Sequence, residues 1–333
     1  MDAVKQTSDG SADVLLEADH VEKHFPIKSF FGTAKHVVKA VDGVSFNILR
    51  GETFGLVGES GCGKSTLGRT LIRMYSPTGG SIRFAGKDIT SASGAELVKI
   101  HAKMQIVFQD PYLSLDPHHT VREIIAEPLR SCLHVKPDEV DDRVAEMLEK
   151  VSLRHDDMYK FAYEFSGGQR QRIGIARALS VRPDFILCDE PISALDVSIQ
   201  AQVVNMLDDL QSEFGLTYLF VAHDLSMVHH ISSRIAVMYL GRIVELASAD
   251  ELYRNPCHPY TRALLSAIPI ADPREARKVK RQELIGDLPS PLDIPTGCRF
   301  RTRCPFARPE CASVAEDLEE ISPQHFCACP FCQ

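Results

Sequence analysis

Residues 53–67 read TFGLVGESGCGKSTL: an apolar run breaks into a glycine-rich loop and restarts with helical character. Within it, GESGCGKS (58–65) fits G-x-x-x-x-G-K-[ST], and the flanking strand and helix give that pattern its meaning. Such a loop must turn backbone N–H groups inward around phosphate oxygens. Gly61 and Gly63 permit this by adopting conformations that a Cβ would block. The helix opening at Lys64 presents its positive end to the same charge. Lys64 is placed to reach the β- and γ-phosphates of a nucleoside triphosphate, and the Ser65 hydroxyl to ligate Mg²⁺. Gly58, Ser60, Gly61, Cys62, Gly63 and Thr66 complete the cradle, with no chemistry assigned to the Cys62 thiol.

Working outward, further apolar runs occur at 104–109 (MQIVFQ), 185–190 (FILCDE), 217–223 (TYLFVAH) and 234–240 (RIAVMYL). Several are apolar at consecutive positions, as strands covered on both faces are. Helical patterns lie between them. In 198–215, Ile199, Val203, Met206, Leu207, Leu210 and Phe214 share one face and Gly215 provides a stop. A second helix is expected over 141–153, inside a stretch of about 110–180 that has no strand signal. The pattern predicts an α/β nucleotide-binding core with a helical insertion. FILCDE drives an apolar strand into two carboxylates. Asp189 at the strand end can hold Mg²⁺ through water, and Glu190, one residue on, can polarise an attacking water.

The whole chain of 333 residues has room for one large domain and an appendage. At 44% hydrophobic and 25% charged it reads as globular with ample core, and no run approaches the roughly 18–20 apolar residues of a membrane helix. Residues 1–13 are polar and expected to be disordered, and they lack a secretory pattern. A cytoplasmic setting follows as the expectation, where a cysteine cluster points to metal rather than disulfides. The net charge of −8 counsels against sequence-blind nucleic-acid binding. After residue 250 prolines multiply, a basic run at 274–281 reads as a solvated helix face, and six of the ten cysteines crowd between Cys298 and Cys332.

Between the phosphate loop and FILCDE stands FSGGQRQRIGIARAL (165–179). Here the chain resembles the ATP-binding cassette (ABC) family, whose signature is LSGGQ, with Phe165 in place of Leu and Ser166, Gly167, Gly168 and Gln169 retained. The other family motifs follow in order: Gln109 in VFQDP, SALD at 193–196, and His223 in VAHD. The resemblance implies a RecA-like P-loop core with an antiparallel β subdomain and a helical subdomain at about 110–180, together spanning 14–250. It also implies a mechanism. Two cassettes close head to tail, and each ATP is pinned between one chain's phosphate loop and the other's signature. Ser166, the two glycines and Gln169 would face the partner's γ-phosphate, and Glu190 would be the catalytic base. His223 would contact the γ-phosphate with Lys64, and Gln109 would link the metal to the neighbouring subunit. Phe25 is the candidate for stacking on adenine, with Phe30 and Phe31 as competitors.

The segment 251–333 resembles the C-terminal extension of ATPases in bacterial dipeptide and oligopeptide importers, a branch that also serves nickel and glutathione. The likeness rests on NPCHPYTRALLSAIP (255–269), GDLPSPLDIPTGCRFRTRCPFARPEC (286–311) and VFQDPYLSLDP (107–117), and is nearest to the second of the two ATPases. It implies a homologous partner ATPase, two permeases, a periplasmic binding protein reached through them, and a place on the cytoplasmic face of the inner membrane. In that branch the extension can bind a [4Fe–4S] cluster. Cys298, Cys304 and Cys311, spaced C-x5-C-x6-C, match the first three ligands, and Cys329, four residues after His325, matches the fourth. Cys327 and Cys332 stand close enough to substitute. Four thiolates also suit tetrahedral Zn²⁺, but zinc favours tight C-x2-4-C pairs; unliganded thiols packed as small hydrophobes are the bland alternative. The functional rival is an ABC ATPase acting on nucleic acid or ribosomes, a class that typically carries two cassettes or a long coiled-coil insertion, neither of which is present.

Overall fold

The runs of consecutive apolar residues form strands whose two faces are both covered. The computed structural model describes residues 13–28, 35–268, 286 and 289–332. It opens with β1 (Val14–Lys28) and β2 (Lys35–Leu49), and β3 (Thr53–Val57) leads through the glycine loop into α1 (Lys64–Leu71). There follow β4 (Gly79–Phe84), β5 (Lys87–Asp88), α2 (Gly94–Lys103) and β6 (Met104–Val107). Next come α3 (Val121–Cys132), α4 (Pro137–Lys150) and α5 (Gly167–Leu179). The core resumes with β7 (Phe185–Asp189), α6 (Val197–Phe214), β8 (Thr217–Ala222), α7 (Leu225–Ile231), β9 (Arg234–Tyr239) and β10 (Arg242–Ser248). α8 (Ala249–Arg254), α9 (Pro259–Ser266), β11 (Glu319–Ser322) and β12 (His325–Cys327) complete the chain.

One sheet runs β2-β1-β4-β5 and is antiparallel throughout. The other runs β11-β12-β10-β9-β3-β8-β7-β6, parallel from β9 to β6. Its residues alternate between two cores, as the two-residue strand period requires. Val57, Ile186, Cys188, Tyr218, Phe220, Val237 and Tyr239 face the helices of the insertion and the C-terminal part. Leu56, Phe185, Leu187, Leu219, Val221 and Met238 face the layer that includes β1, β2 and α1. Burying a side chain of the class of Phe185 or Phe220 contributes about 1.5–3 kcal/mol, so the sheet holds its register firmly.

The insertion is helical: among the described residues between 110 and 180 the elements are α3, α4, α5 and two short 3₁₀ turns, joined by one isolated bridge from Thr120 to Phe161. The helix expected at 141–153 instead starts at Pro137, whose fixed φ suits a first helical position, and ends at Lys150. α6 stops at Gly215 (φ +65) as its sequence predicts. In the tail β12 pairs antiparallel with β10, Glu245 opposite Cys327 and Leu246 opposite Phe326. The Ala328 N–H donates to Val244 O at 2.9 Å and ties the chain end to the main sheet. The disorder expected for the N-terminal residues (all but Asp13), Phe30, Phe31 and the basic run at 274–281 fall outside the described residues.

Candidate functional site

Parallel strands deliver their carboxyl ends to a common edge, where ligands of open α/β sheets bind. Here β3 delivers the loop 58–63, β6 delivers Gln109, β7 Asp189 and Glu190, and β8 His223. Gly63 is the N-cap of α1 at φ +111, with no side chain capping the helix, so the first N–H groups of α1 are left for an anion. A Cβ at Gly63 would sit 2.1 Å from Ala40 O. Ser60, Gly61, Ser65 and Thr66 lie on the same turn. The Cys62 thiol is buried, its pKa pushed up by that burial, consistent with an inert packing role. The buried Lys64 ammonium donates to Gly58 O (2.8 Å) and Glu59 O (3.0 Å) and lies 4.0 Å from Glu190 Oε1.

Asp189 is fully buried. Arg69 holds its Oδ2 through Nε (3.0 Å) and Nη2 (2.9 Å), while Oδ1 is buried with no hydrogen-bond partner among the described residues. An unpaired buried carboxylate oxygen is costly unless something satisfies it, and a metal-bound water fits that demand. The half-buried Ser65 hydroxyl, first turn of α1, is the other oxygen suited to Mg²⁺. Glu190 has φ +48, an uncommon conformation for a residue with a Cβ that is seen most where function demands it. Its N–H donates to Val221 O at 3.0 Å, and Gln109 Nε2 donates to its Oε2 at 2.8 Å. The structure therefore brings Lys64, Gln109, Asp189 and Glu190 together, with His223 exposed on the adjacent strand end.

The signature lies elsewhere. Ser166 caps α5, accepting from Gln169 N at 3.4 Å, while its own N–H donates to Gln169 Oε1 at 3.1 Å, a reciprocal capping box. Ser166 and Gln169 are exposed; Phe165 is buried with the insertion's helices, which is why an aromatic can replace Leu there. A Cβ at Gly168 would lie 2.7 Å from Ile199 Cγ2. Phe25 is half-buried in β1 beside Tyr75 (centroids 5.8 Å), with Lys23 Nζ 4.9 Å from its ring centre. None of these ring contacts reaches the phosphate loop.

All ten cysteines are unpaired thiols. Cys298 N donates to Cys311 O at 2.8 Å, and Arg308 N approaches Cys311 Sγ at 3.4 Å. Burial pushes the Cys298 thiol up to about 12 and raises Cys304, with charge on Cys311 and Cys329 adding to the shift in both. A tetrahedral zinc with sulfur at about 2.3 Å would draw its ligands within about 4 Å of one another. Among the described residues the set that lies wholly within 4.8 Å is Glu245, Cys257 and His325, not these four cysteines. Four thiols are a donor set that either tetrahedral zinc or an iron–sulfur group accepts. The Glu245 set is already satisfied: its carboxylate accepts from Cys257 N (2.7 Å), His258 N (2.9 Å) and His325 Nε2 (2.8 Å). Cys329 packs with Cys327 and Cys332: its N–H donates to Cys327 Sγ at 3.5 Å, Cys332 Sγ donates to Cys329 O at 2.8 Å, and the Cys327 and Cys332 sulfurs are 3.1 Å apart.

The profile described as "ABC transporter" matches residues 41–193, and that described as "Oligopeptide/dipeptide transporter, C-terminal region" matches 244–311. YkfD of Bacillus subtilis (strain 168) is 56% identical over 95% of this chain and 94% of its own. The oligopeptide transport ATP-binding protein AppF of the same organism is 53% identical over 95% of this chain and 97% of its own. The chain belongs to the ABC transporter family. Its cassette also superposes on a dimeric ATP-binding cassette, MJ0796, in a post-hydrolysis state bound to ADP and Pi, with TM-score 0.63, 28% identity, and coverage of 71% of this chain and 99% of that one.

Sequence reasoning missed three residues of this ABC protein's site. Arg69, one turn into α1, pins Asp189. Tyr260 of α9 accepts the Glu59 N–H at 2.8 Å, and Arg303 forms a two-point ion pair with Glu59 (2.6 and 3.0 Å). Only the spacing of Arg69 on α1, one turn past the loop helix's start, could have flagged any of them.

Proposed function

We propose that this chain is the ATP-hydrolysing, energy-coupling subunit of an importer for di- or oligopeptides, bound through permeases to the cytoplasmic face of the bacterial inner membrane. The observation that carries the reading is the convergence of Lys64, Gln109, Asp189 and Glu190 on the open phosphate loop, in a chain whose 244–311 region matches the oligopeptide/dipeptide transporter C-terminal region. Lys64 and the loop N–H groups bind the phosphates; Ser65, Asp189 and Gln109 serve Mg²⁺; Glu190 draws the proton from the attacking water, with His223 near the γ-phosphate. Mg²⁺ when bound neutralises charge developing on the phosphates. The exposed Ser166–Gln169 cap needs a second, homologous cassette to reach a nucleotide, and Phe25 supplies the adenine contact. Exposed apolar side chains on the insertion, Leu113 (87% exposed), Tyr112, Tyr159 and Tyr163, suit docking against permease loops. Among the described residues no helix is long and apolar enough to cross a membrane, so attachment falls to those partners.

The test is ATPase turnover in vesicles containing this chain, its partner ATPase and both permeases. Turnover should rise several-fold when a binding protein loaded with oligopeptide is added. Stimulation by nickel- or glutathione-loaded binding protein alone would reassign the substrate, and none by any would remove the importer reading.

Cys298, Cys304, Cys311 and Cys329 are the proposed ligands of a [4Fe–4S] cluster that would cross-link three loops of the extension. Because burial raises the Cys298 and Cys304 thiols, and a thiol must lose its proton to ligate metal, binding displaces protons and is favoured by rising pH. Protein purified without oxygen should hold about four irons and as many sulfides per chain, and Cys304→Ser should lower both. One zinc and no iron would replace the cluster with a different ion.

A further inference from the structure

We propose that the segment from Cys298 to Cys304 is a positioning arm for the phosphate loop, with Arg303 as the residue through which the C-terminal extension sets that loop. The Arg303 side chain is 6% exposed, and its two terminal nitrogens meet both oxygens of Glu59, the second residue of the GESGCGKS loop. A planar guanidinium gripping a carboxylate at two points fixes orientation as well as charge. The pair keeps Arg303 protonated still more firmly than usual. The same glutamate is held at its backbone: its N–H donates to Tyr260 Oη at 2.8 Å, and its carbonyl accepts from Lys64 Nζ at 3.0 Å and Cys62 N at 3.3 Å. Both extension contacts therefore fall on one loop residue whose carbonyl orients the phosphate-binding lysine.

The arm is itself anchored. Phe300 is fully buried, edge-on to Tyr239 at 5.3 Å and 5.5 Å from Tyr260. Arg299 reaches Leu240 O and Asp42 Oδ2, and Gly241, next in chain, donates its N–H to Cys62 O at 2.8 Å. Contacts from the 298–304 arm and from α9 thus bracket residues 59–62 from two sides. A loop held this way loses less freedom when nucleotide binds, so binding is tighter at no gain in the chemical step. Arg303 is a positioning residue, acting through Glu59 and Lys64 on ground-state affinity.

The proposal rests on 58–65 being the nucleotide site, and the experiment separates the two. Binding of a fluorescent ATP analogue with Mg²⁺ is titrated on the full chain for wild type, Lys64→Ala, Arg303→Ala, Arg303→Lys, Glu59→Gln and the Glu59→Gln/Arg303→Ala double variant. Lys64→Ala must lose binding; if it binds as wild type does, the site reading fails first. Given that loss, Arg303→Ala should raise Kd on the order of tenfold, with kcat at saturating ATP nearly unchanged, and Arg303→Lys should fall between. The double variant should bind no more weakly than the worse single one, since each removes the same pair. Amide exchange at residues 59–64 should quicken in the Arg303 variants. Should Arg303→Ala not fold, Glu59→Gln, which removes the pair from the loop side, should show the same rise in Kd. Unchanged affinity in Glu59→Gln or Arg303→Ala, additive losses in the double variant, or a fall in kcat without a change in Kd would each overturn the proposal.

Discussion

Glu190→Gln should lower ATP turnover by about 10²–10⁴-fold, the range for removing a general base, while Mg-ATP still binds with wild-type affinity. The substitution isolates charge from shape. Gln has the same size as Glu, and either residue bears a similar cost at φ +48, so the backbone at the end of β7 is held by the Glu190 N–H bond to Val221 O as before. The Gln109 bond can also survive, because the new amide can turn its oxygen toward Gln109 Nε2, now 2.8 Å from Glu190 Oε2. What is lost is a group able to accept the water's proton. The phosphate contacts of Lys64 and the α1 N-terminus are untouched, which is why affinity is expected to persist. Single-turnover hydrolysis read beside equilibrium nucleotide binding checks this, and hydrolysis at the wild-type rate would move the base to another residue.

How far the sequence told this in advance depends on where each signal was stored. The strands β3, β7, β8 and β9 are legible because both faces are buried, which forces apolar residues at consecutive positions. The loop 58–65 and the Ser166–Gln169 cap are legible because their chemistry lies within a few adjacent residues. β1 and β2 left little trace: one face of their sheet is solvated, charged residues such as Glu17, Asp19 and Lys23 interrupt the apolar ones, and the pairing shifts register between Ala18 and Val21, around His20 at φ +47. β11 and β12 are too short for any period to show. The Arg303–Glu59 pair joins residues 244 apart, and nothing near either one announces the other. The resemblance of the tail to the importer extension implied a four-cysteine ligand set. It could not say that the intervening residues would grip the phosphate loop.

Arg299→Ala should be the most destabilising single change in the extension. Arg299 is buried with Asp42 on one side and Glu316 on the other, its Nε 3.2 Å from Glu316 Oε2 and its own N–H donating to Glu316 Oε1. The two carboxylates respond differently to burial. At Asp42 burial pushes the pKa up, but the Arg299 contacts, with Lys39 and His24, outweigh it and hold the group below its usual value. At Glu316 burial prevails and the pKa is raised despite Arg299. Removing the guanidinium leaves both acids buried. Asp42 keeps His24 at 3.0 Å and Lys39 at 3.5 Å, and Glu316 keeps the residue-299 N–H and its neighbour Arg242, so each acid stays partly compensated. Breaking a buried pair costs about 3–5 kcal/mol, and the partners remaining at both acids point to about 3. At roughly 2 °C per kcal/mol for a large chain, the unfolding midpoint should fall by about 6 °C near neutral pH. The sign of its pH dependence follows from Glu316. Without Arg299 that group takes up a proton more readily and is neutral when protonated, so the deficit against wild type should shrink as pH falls and grow as it rises. Midpoints for wild type and variant measured across acid to neutral pH decide it, and a deficit that is absent near neutral pH or widens on acidification would show that Arg299 is not what holds Glu316 in place.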